Sequence, residues 1–221
     1  MSQKAATTWT GGTPRRLGQG LYAITEGPCA DLLPAARAAL EGGAAMLQYR
    51  DKTRDARRRS HEARALKALC AEFDVPLIIN DDVELVRASR AAGVHLGEDD
   101  PTIADARMAL GRGAIIGVSC YDSLQRARDA AAAGADYLAF GAFFPSATKP
   151  GAHRAKPDLL RDARAFGLPL VAIGGITPEN GGSLVAAGAD FLAAISALFG
   201  ARDVRAAASD FAALFQTRGK A

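Results

Sequence analysis

The stretches AAGADYLAFG at 132–141 and AAGADFLAAIS at 186–196 decide the fold. Each carries alanines at the end of a helical segment, a glycine where the chain can turn left-handed, and then a short apolar run of strand character. EGGAA at 41–45 and AAGVH at 91–95 are looser relatives of the same junction. A glycine just past a helix end, ahead of a strand, is what a chain that alternates helix with strand needs repeatedly.

Outward from these junctions the alternation extends over most of the chain. The apolar runs are LYAIT (21–25), AAMLQYR (44–50), PLIIN (76–80), GVHLG (93–97), AIIGVS (114–119), DYLAFG (136–141), LPLVAIGG (168–175) and DFLAAIS (190–196). Between them lie Ala/Leu/Arg-rich segments with apolar residues three and four apart, such as 54–73, 123–133 and 177–187, and these read as helices. Arg57, Arg58 and Arg59 fall on the first of them and read as a solvated helix face. Strands alternating with helices imply parallel pairing through right-handed crossovers. A repeat of about 25 residues holds one strand, one helix and two short loops. The reading is an α/β protein, a single-domain (β/α)8 TIM barrel over residues 20–221, behind a flexible N-terminal tail at 1–19 that carries the sole tryptophan, Trp9. A doubly wound open sheet is the alternative, and it is weaker because no GxGxxG follows the first strand.

Composition narrows the function. The chain has 221 residues, 49% hydrophobic and 23% charged, which excludes wholesale disorder. A net charge of +3 gives no reason to expect nucleic acid as partner. No apolar stretch approaches the roughly 18 residues of a membrane span. Cys29, Cys70 and Cys120 are too few and too scattered for a disulfide framework or a thiolate metal site. With no apolar signal-peptide core at the N-terminus, the expected location is the cytoplasm. Homo-oligomerisation is left open.

A parallel barrel builds its active site at the C-terminal ends of its strands, so polar residues there carry the chemistry. The second run ends in Gln48, Arg50 and Lys52, and the third in Asn80, Asp81 and Asp82. Glu98, Asp99 and Asp100 follow the fourth, and the fifth ends at Ser119. A loop of 14 residues at 143–156 follows the sixth and holds Ser146, Thr148 and Lys149. Gly174 and Gly175 end the seventh, and Ser196 the eighth. Arg50, Lys52 and Lys149 supply positive charge, and Arg50 can grip phosphate oxygens bidentately. Asp81 and Asp100 are hard oxygen ligands of the kind Mg2+ prefers. Asn80-Asp81-Asp82 reads equally as an N-cap cluster. The glycines after the seventh run and the Ile195-Ser196 turn form the usual phosphate corner of this fold. The rim therefore suits two anions, one bound through metal and one cradled by backbone. His61 reads as solvent-exposed, His95 as a packed residue rather than a base, and His153 as an undetermined loop residue.

The segments QYRDK (48–52), INDD (79–82), GVHLGEDD (93–100), GVS (117–119), FFPSATK (143–149), IGGI (173–176) and AIS (194–196), in this order, closely resemble the thiamine-phosphate synthase family. The resemblance runs over roughly residues 20–205. It implies a (β/α)8 barrel that couples 4-amino-2-methyl-5-hydroxymethylpyrimidine diphosphate to 4-methyl-5-(2-phosphooxyethyl)thiazole and releases pyrophosphate. It implies that Gln48, Arg50, Lys52, Asn80, Ser119 and Lys149 hold the pyrimidine diphosphate, with Tyr49 and Asp51 of the QYRDK segment beside them. Of these, Lys149, Arg50, Lys52 and Ser119 are the implied catalytic groups. Asp81 and Asp100 match Mg2+ ligands; Ser146, Ala147, Thr148, Gly175, Ile195 and Ser196 match the thiazole phosphate pocket. The chain departs from the family at Gly141-Ala142, where Gly-Pro is common, at Ser146, where Thr is usual, and at Glu98, where glutamine is common. A thiazole tautomerase on the same barrel shares the phosphate corner but need not keep QYRDK and NDD. A non-catalytic phosphate-binding barrel is the remaining alternative.

Overall fold

A computed structural model describes residues 17–145 and 155–216. Eight parallel strands close into a barrel in sequence order: β1 (Gly20–Ile24), β2 (Ala44–Tyr49), β3 (Leu77–Asn80), β4 (Gly93–Leu96), β5 (Ile115–Tyr121), β6 (Tyr137–Phe140), β7 (Leu170–Ile173) and β8 (Phe191–Ala194). β8 pairs back onto β1, Gly20 opposite Phe191 and Ala23 opposite Ala194. All eight apolar runs are strands, and β5 runs two residues past its expected end at Ser119. The helices around them are α1 (Leu32–Glu41), α2 (Ala56–Glu72), α3 (Val83–Ser89), α4 (Ile103–Leu110), α5 (Leu124–Ala132), α6 (Asp158–Ala163), α7 (Pro178–Ala187), α8 (Ser196–Phe199) and α9 (Val204–Gln216). The expected tail lies outside the described residues except for 17–19.

Side-chain alternation along each strand separates two cores. Tyr22, Ile24, Met46, Ile78, Tyr137, Val171 and Phe191 fill the barrel interior. Leu21, Leu47, Ile79, Val94, Leu138 and Leu192 point outward against the helices. The helices meet them with small residues, Ala36, Ala63, Ala106, Ala127 and Ala163 among them, all fully buried, which lets helix backbones lie close to the sheet.

The repeated junctions have a physical account at both their glycine and their aspartate. Gly134 and Gly188 have φ of +90° and +117°, the left-handed turn expected after α5 and α7. The Asp136 carboxylate then accepts from Ile116 N and from Arg107 Nη2, both at 2.7 Å. Asp190 accepts from Leu170 N at 2.9 Å. Each aspartate thus satisfies an N–H at the start of the neighbouring strand, the second of β5 and the first of β7, where a buried donor would otherwise go unpaired. AAGVH differs from the expectation. There Arg90 takes the left-handed turn (φ +56°) after α3, while Gly93 is needed because a Cβ would lie 1.8 Å from Ile115 O.

Candidate active site

Beyond β2 the chain stays tied to β1: Arg50 N donates to Thr25 Oγ1 at 3.0 Å, and Gly27 N donates to Arg50 O at 2.9 Å. This places Arg50 and Lys52 at the top rim. The Arg50 guanidinium reaches Glu26 at 3.1 Å, and the Lys52 ammonium pairs with the Asp81 carboxylate. Asp81 sits in the left-handed region (φ +64°), a conformation Asp adopts more readily than most residues. Its backbone N–H is held by His95 O at 2.9 Å.

Across from it, the Asp100 carboxylate accepts from Gly97 N at 2.6 Å and lies close enough to the Asp81 carboxylate for the two charges to repel. Burial first, and then the facing Asp81, hold Asp100 above the usual carboxylate range, against the opposing Gly97 N–H and Lys52 charge. Two carboxyls brought together at a cost in repulsion can hold a hard divalent cation. Among the described residues no group of three or more His, Cys, Asp or Glu forms a larger cluster, so the remaining ligands would come from water and substrate oxygens. A cavity of about 600 Å³ opens here, lined by Lys52, Thr53, Arg59, Asn80, Asp81 and Asp82 and extending between α3 and α4.

Neighbouring acids have separate tasks. Asp82 caps α3, accepting from Leu85 N at 2.9 Å, and binds Arg59 Nη2 at 2.9 Å. The N-cap reading of the acidic cluster therefore holds for Asp82, while Asp81 faces Lys52 and Asp100. Glu98, 68% exposed, lies 3.8 Å from Arg126, which offsets its added charge.

Gln48 and Ser119 sit deeper, joined by a chain of hydrogen bonds through the barrel interior. Gln48 Nε2 donates to Tyr22 Oη at 2.7 Å, Tyr22 Oη lies 2.9 Å from Tyr137 Oη, and Tyr137 Oη lies 2.9 Å from His95 Nδ1. His95 Nε2 is 2.9 Å from Ser119 Oγ. His95 is accordingly a packed residue, stacked on Tyr137 with ring centroids 5.6 Å apart.

Two residues of the QYRDK segment gain structural partners, and one expectation is corrected. The Tyr49 side chain faces the helix layer and bonds Glu62 of α2 at 2.6 Å. The Asp51 carboxylate, fully buried, is bound by Arg58 Nη2 at 2.6 Å and by Thr53 N at 2.7 Å. Burial opposes its ionisation, yet Thr53, Arg58 and Arg59 hold it below the usual range. Both side chains thus brace the segment, and Asp51 also lines the cavity beside Lys52 and Thr53. Nor are Arg58 and Arg59 a solvated face: they lock Asp51 and Asp82, and only Arg57 of the three is exposed. The signal for them was an acid at the top of each flanking strand, Asp51 after β2 and Asp82 after β3. The signal for Tyr22 and Tyr137 was a phenol at an inward-facing position of an apolar strand, where it must find a partner.

On the opposite side of the mouth, Gly174 and Gly175 have φ of +105° and +62°. A Cβ on Gly175 would lie 2.2 Å from Pro145 O, so the turn after β7 and the start of the loop after β6 can only approach with glycine there. Asn180 Nδ2 donates to Gly175 O at 3.0 Å and fixes the turn. Phe144 N donates to Gly174 O at 3.0 Å, and the Gly141–Ala142 peptide bond is cis. Ile195 precedes α8, which opens at the exposed Ser196. Ser146, Ala147, Thr148, Lys149 and His153 lie outside the described residues.

No described helix is long and apolar enough to cross a membrane. Residues 21–198 match the family described as "Thiamine monophosphate synthase". The chain is 53% identical over 197 residues to the thiamine-phosphate synthase of Marinobacter nauticus, covering 87% of this chain and 89% of that one. It is 54% identical over 199 residues to the thiamine-phosphate synthase of Methylobacillus flagellatus, covering 89% and 95%. Among solved structures, thiamine phosphate pyrophosphorylase from Pyrococcus furiosus superposes with a TM-score of 0.82 at 34% identity, over 91% of this chain and 98% of that one. With the barrel, the facing acids and the glycine turn in place, these likenesses assign the chain: it belongs to the thiamine monophosphate synthase family.

Proposed function

We propose that the chain joins 4-amino-2-methyl-5-hydroxymethylpyrimidine diphosphate to 4-methyl-5-(2-phosphooxyethyl)thiazole, giving thiamine phosphate and pyrophosphate, with Mg2+ held by Asp81 and Asp100. The observation that carries this reading is the facing pair of carboxyls beside the Lys52 ammonium. An acid pair alone would repel a polyanion, and a cation cluster alone would not need the acids. Bound Mg2+ supplies Lewis-acid stabilisation of the departing diphosphate.

The bond that breaks joins the pyrimidine methylene carbon to the diphosphate oxygen, and its electron pair leaves with that oxygen. The 4-amino nitrogen donates electron density into the ring, leaving a carbocation-like methylene. Lys52 and Arg50, with Lys149 from the loop, balance charge as it builds on the leaving group. Asn80 and Ser119 hold its oxygens, and Gln48 holds the pyrimidine. The thiazole nitrogen then forms the new C–N bond with its own lone pair. That nitrogen carries no proton, so the site needs no general base, in keeping with His95 being engaged on both ring nitrogens by Tyr137 and Ser119. Gly175, Ile195 and Ser196, with Ser146, Ala147 and Thr148 from the loop, cradle the thiazole phosphate and keep the nitrogen aimed at the methylene carbon.

A cytoplasmic location accords with the cysteines: Cys70 and Cys120 are buried and unpaired, and burial pushes both thiols up to about 12. The test of the reaction is to mix both substrates with Mg2+ and the purified chain. Equal amounts of pyrophosphate and thiamine phosphate are expected, and chelation should abolish both. Thiazole isomerisation without coupling, or thiazole phosphate binding without product, overturns the assignment.

A further inference from the structure

The interior chain Gln48–Tyr22–Tyr137–His95–Ser119 joins two residues assigned to the substrate on β2 and β5 through three residues that are given no role. Both tyrosines are fully buried, and burial raises both phenols far above the ordinary range, so each keeps its single proton. A fully buried phenol with two hydrogen-bond neighbours pairs its one proton only by donating to one of them while it accepts from the other. The direction of every bond is then set from one end.

Gln48 Nε2 donates to Tyr22 Oη. Tyr22 must therefore donate to Tyr137, and Tyr137 to His95 Nδ1. That leaves the His95 proton on Nε2, donating to Ser119 Oγ. Two consequences reach the mouth together: Gln48 Oε1 is left to accept, and the Ser119 hydroxyl proton is left to donate. Turning the Gln48 amide over reverses every bond and both outcomes. Space for this chain is provided by Gly117, where a Cβ would lie 1.8 Å from the Tyr137 ring.

We propose that Tyr22, Tyr137 and His95 are positioning residues that lock the polarity of Gln48 and Ser119, so that the site selects an amino group on the pyrimidine at one end and a phosphate oxygen at the other. The inference rests on the aminopyrimidine diphosphate being the substrate of this mouth. An exocyclic amine offers N–H to Gln48 Oε1, and a diphosphate offers only acceptors to Ser119. The reversed chain would present a donor to the amine and a lone pair to the phosphate, both repulsive.

Tyr137→Phe tests this without touching either end. Phe cannot accept, so the Tyr22 proton turns to Gln48 Oε1 and the amide flips. We expect KM for the amino substrate to rise about tenfold, the loss of one well-made hydrogen bond, with KM for the thiazole phosphate unchanged. The unreactive 4-oxo counterpart of the diphosphate, measured as an inhibitor, should bind at least ~100-fold more weakly than the substrate in wild type. It should bind more tightly to Tyr137→Phe than to wild type, which a merely structural role for Tyr137 would not produce. If both pyrimidines weaken equally, or neither changes, the proposal is overturned. Should Tyr137→Phe not fold, wild-type protein decides the matter. Nitrogen-15 NMR of His95 at neutral pH is expected to show the Nε2–H tautomer, and an Nδ1–H or doubly protonated ring overturns the proposal. The NMR readout needs no substrate, so a wrong substrate assignment shows itself separately, as a wild-type chain that makes no product.

Discussion

Asp81 and Asp82 are adjacent and chemically identical, yet their surroundings predict opposite phenotypes. Asp81→Asn removes one charge from the facing acid pair while keeping a residue that tolerates φ +64°. The Lys52–Asp81 pair has side chains 61% and 27% exposed, so its loss costs less than about 1 kcal/mol. Relief of the Asp81–Asp100 repulsion offsets part of that. Tm should therefore stay within about 2 °C of wild type, while kcat/KM at saturating Mg2+ falls ~10²–10³-fold, some 3–4 kcal/mol of transition-state stabilisation. Asp82→Ala does the reverse. It removes the α3 cap, worth about 1 kcal/mol, and the partly buried ion pair to Arg59 (21% and 32% exposed), which adds up to about 1 kcal/mol. Tm should drop by about 4–8 °C, while kcat/KM changes by less than about tenfold. Thermal melts and pyrophosphate release on the same preparations give both numbers. Near wild-type turnover for Asp81→Asn, or an Asp82→Ala that melts normally but loses as much activity as Asp81→Asn, would refute the division of labour.

Other perturbations separate the remaining parts of the molecule. Asp100 is held above its ordinary range, so its charge destabilises the metal-free fold at neutral pH, and the penalty vanishes as pH falls below the unfolded value of about 4. Asp100→Asn in EDTA should therefore melt above wild type at pH 7.5, the gap closing towards pH 4, and added Mg2+ should raise the wild-type Tm but not the variant's. Gly175→Ala forces a Cβ to 2.2 Å from Pro145 O at a left-handed φ; KM for the thiazole phosphate should rise about tenfold or more with KM for the pyrimidine diphosphate unchanged, as steady-state titration of each substrate would reveal. Asp136→Ala leaves Ile116 N–H unpaired and should cost about 2 kcal/mol, seen as a Tm lowered by some 4–8 °C, with kcat at 25 °C preserved.

The barrel was legible because its signals are local and repeated. Each strand is a short apolar run, and two of the junctions share the same five residues, so register errors at one repeat do not spoil the others. Strand-end placement also made Lys52, Asn80, Asp81 and Asp100 readable as one rim, since in a parallel barrel those positions converge by topology. What the residues alone left open was the choice among adjacent acids. Asp81 and Asp82 differ only in backbone conformation: φ +64° turns one carboxylate to Lys52, and φ −99° leaves the other to cap α3. Nothing in a run of two aspartates encodes that. The pairing of Arg58 with Asp51 and Arg59 with Asp82 escaped for a related reason, because an arginine on an otherwise polar helix looks solvated until the loop folds against it.

The interior chain escaped differently. Tyr22, Tyr137 and His95 come from three strands separated by up to 115 residues, and each alone reads as a packed aromatic. Their meaning arises only when the closed barrel brings strand neighbours into register, His95 opposite Gly117 and Gly117 opposite Tyr137. The two ends of the barrel thus use polar residues for different ends. At the bottom, Asp136 and Asp190 each satisfy an amide near the start of a neighbouring strand and serve stability alone. At the level of the site, polar groups are placed where they cannot all be satisfied internally: Asp100 is raised by burial and by its neighbour Asp81, and the interior chain leaves one acceptor and one donor for a ligand to complete. Such unmet demand is what distinguishes the working rim from the structural one, and the separate effects expected of Asp136→Ala and Asp81→Asn on melting and turnover measure that difference directly.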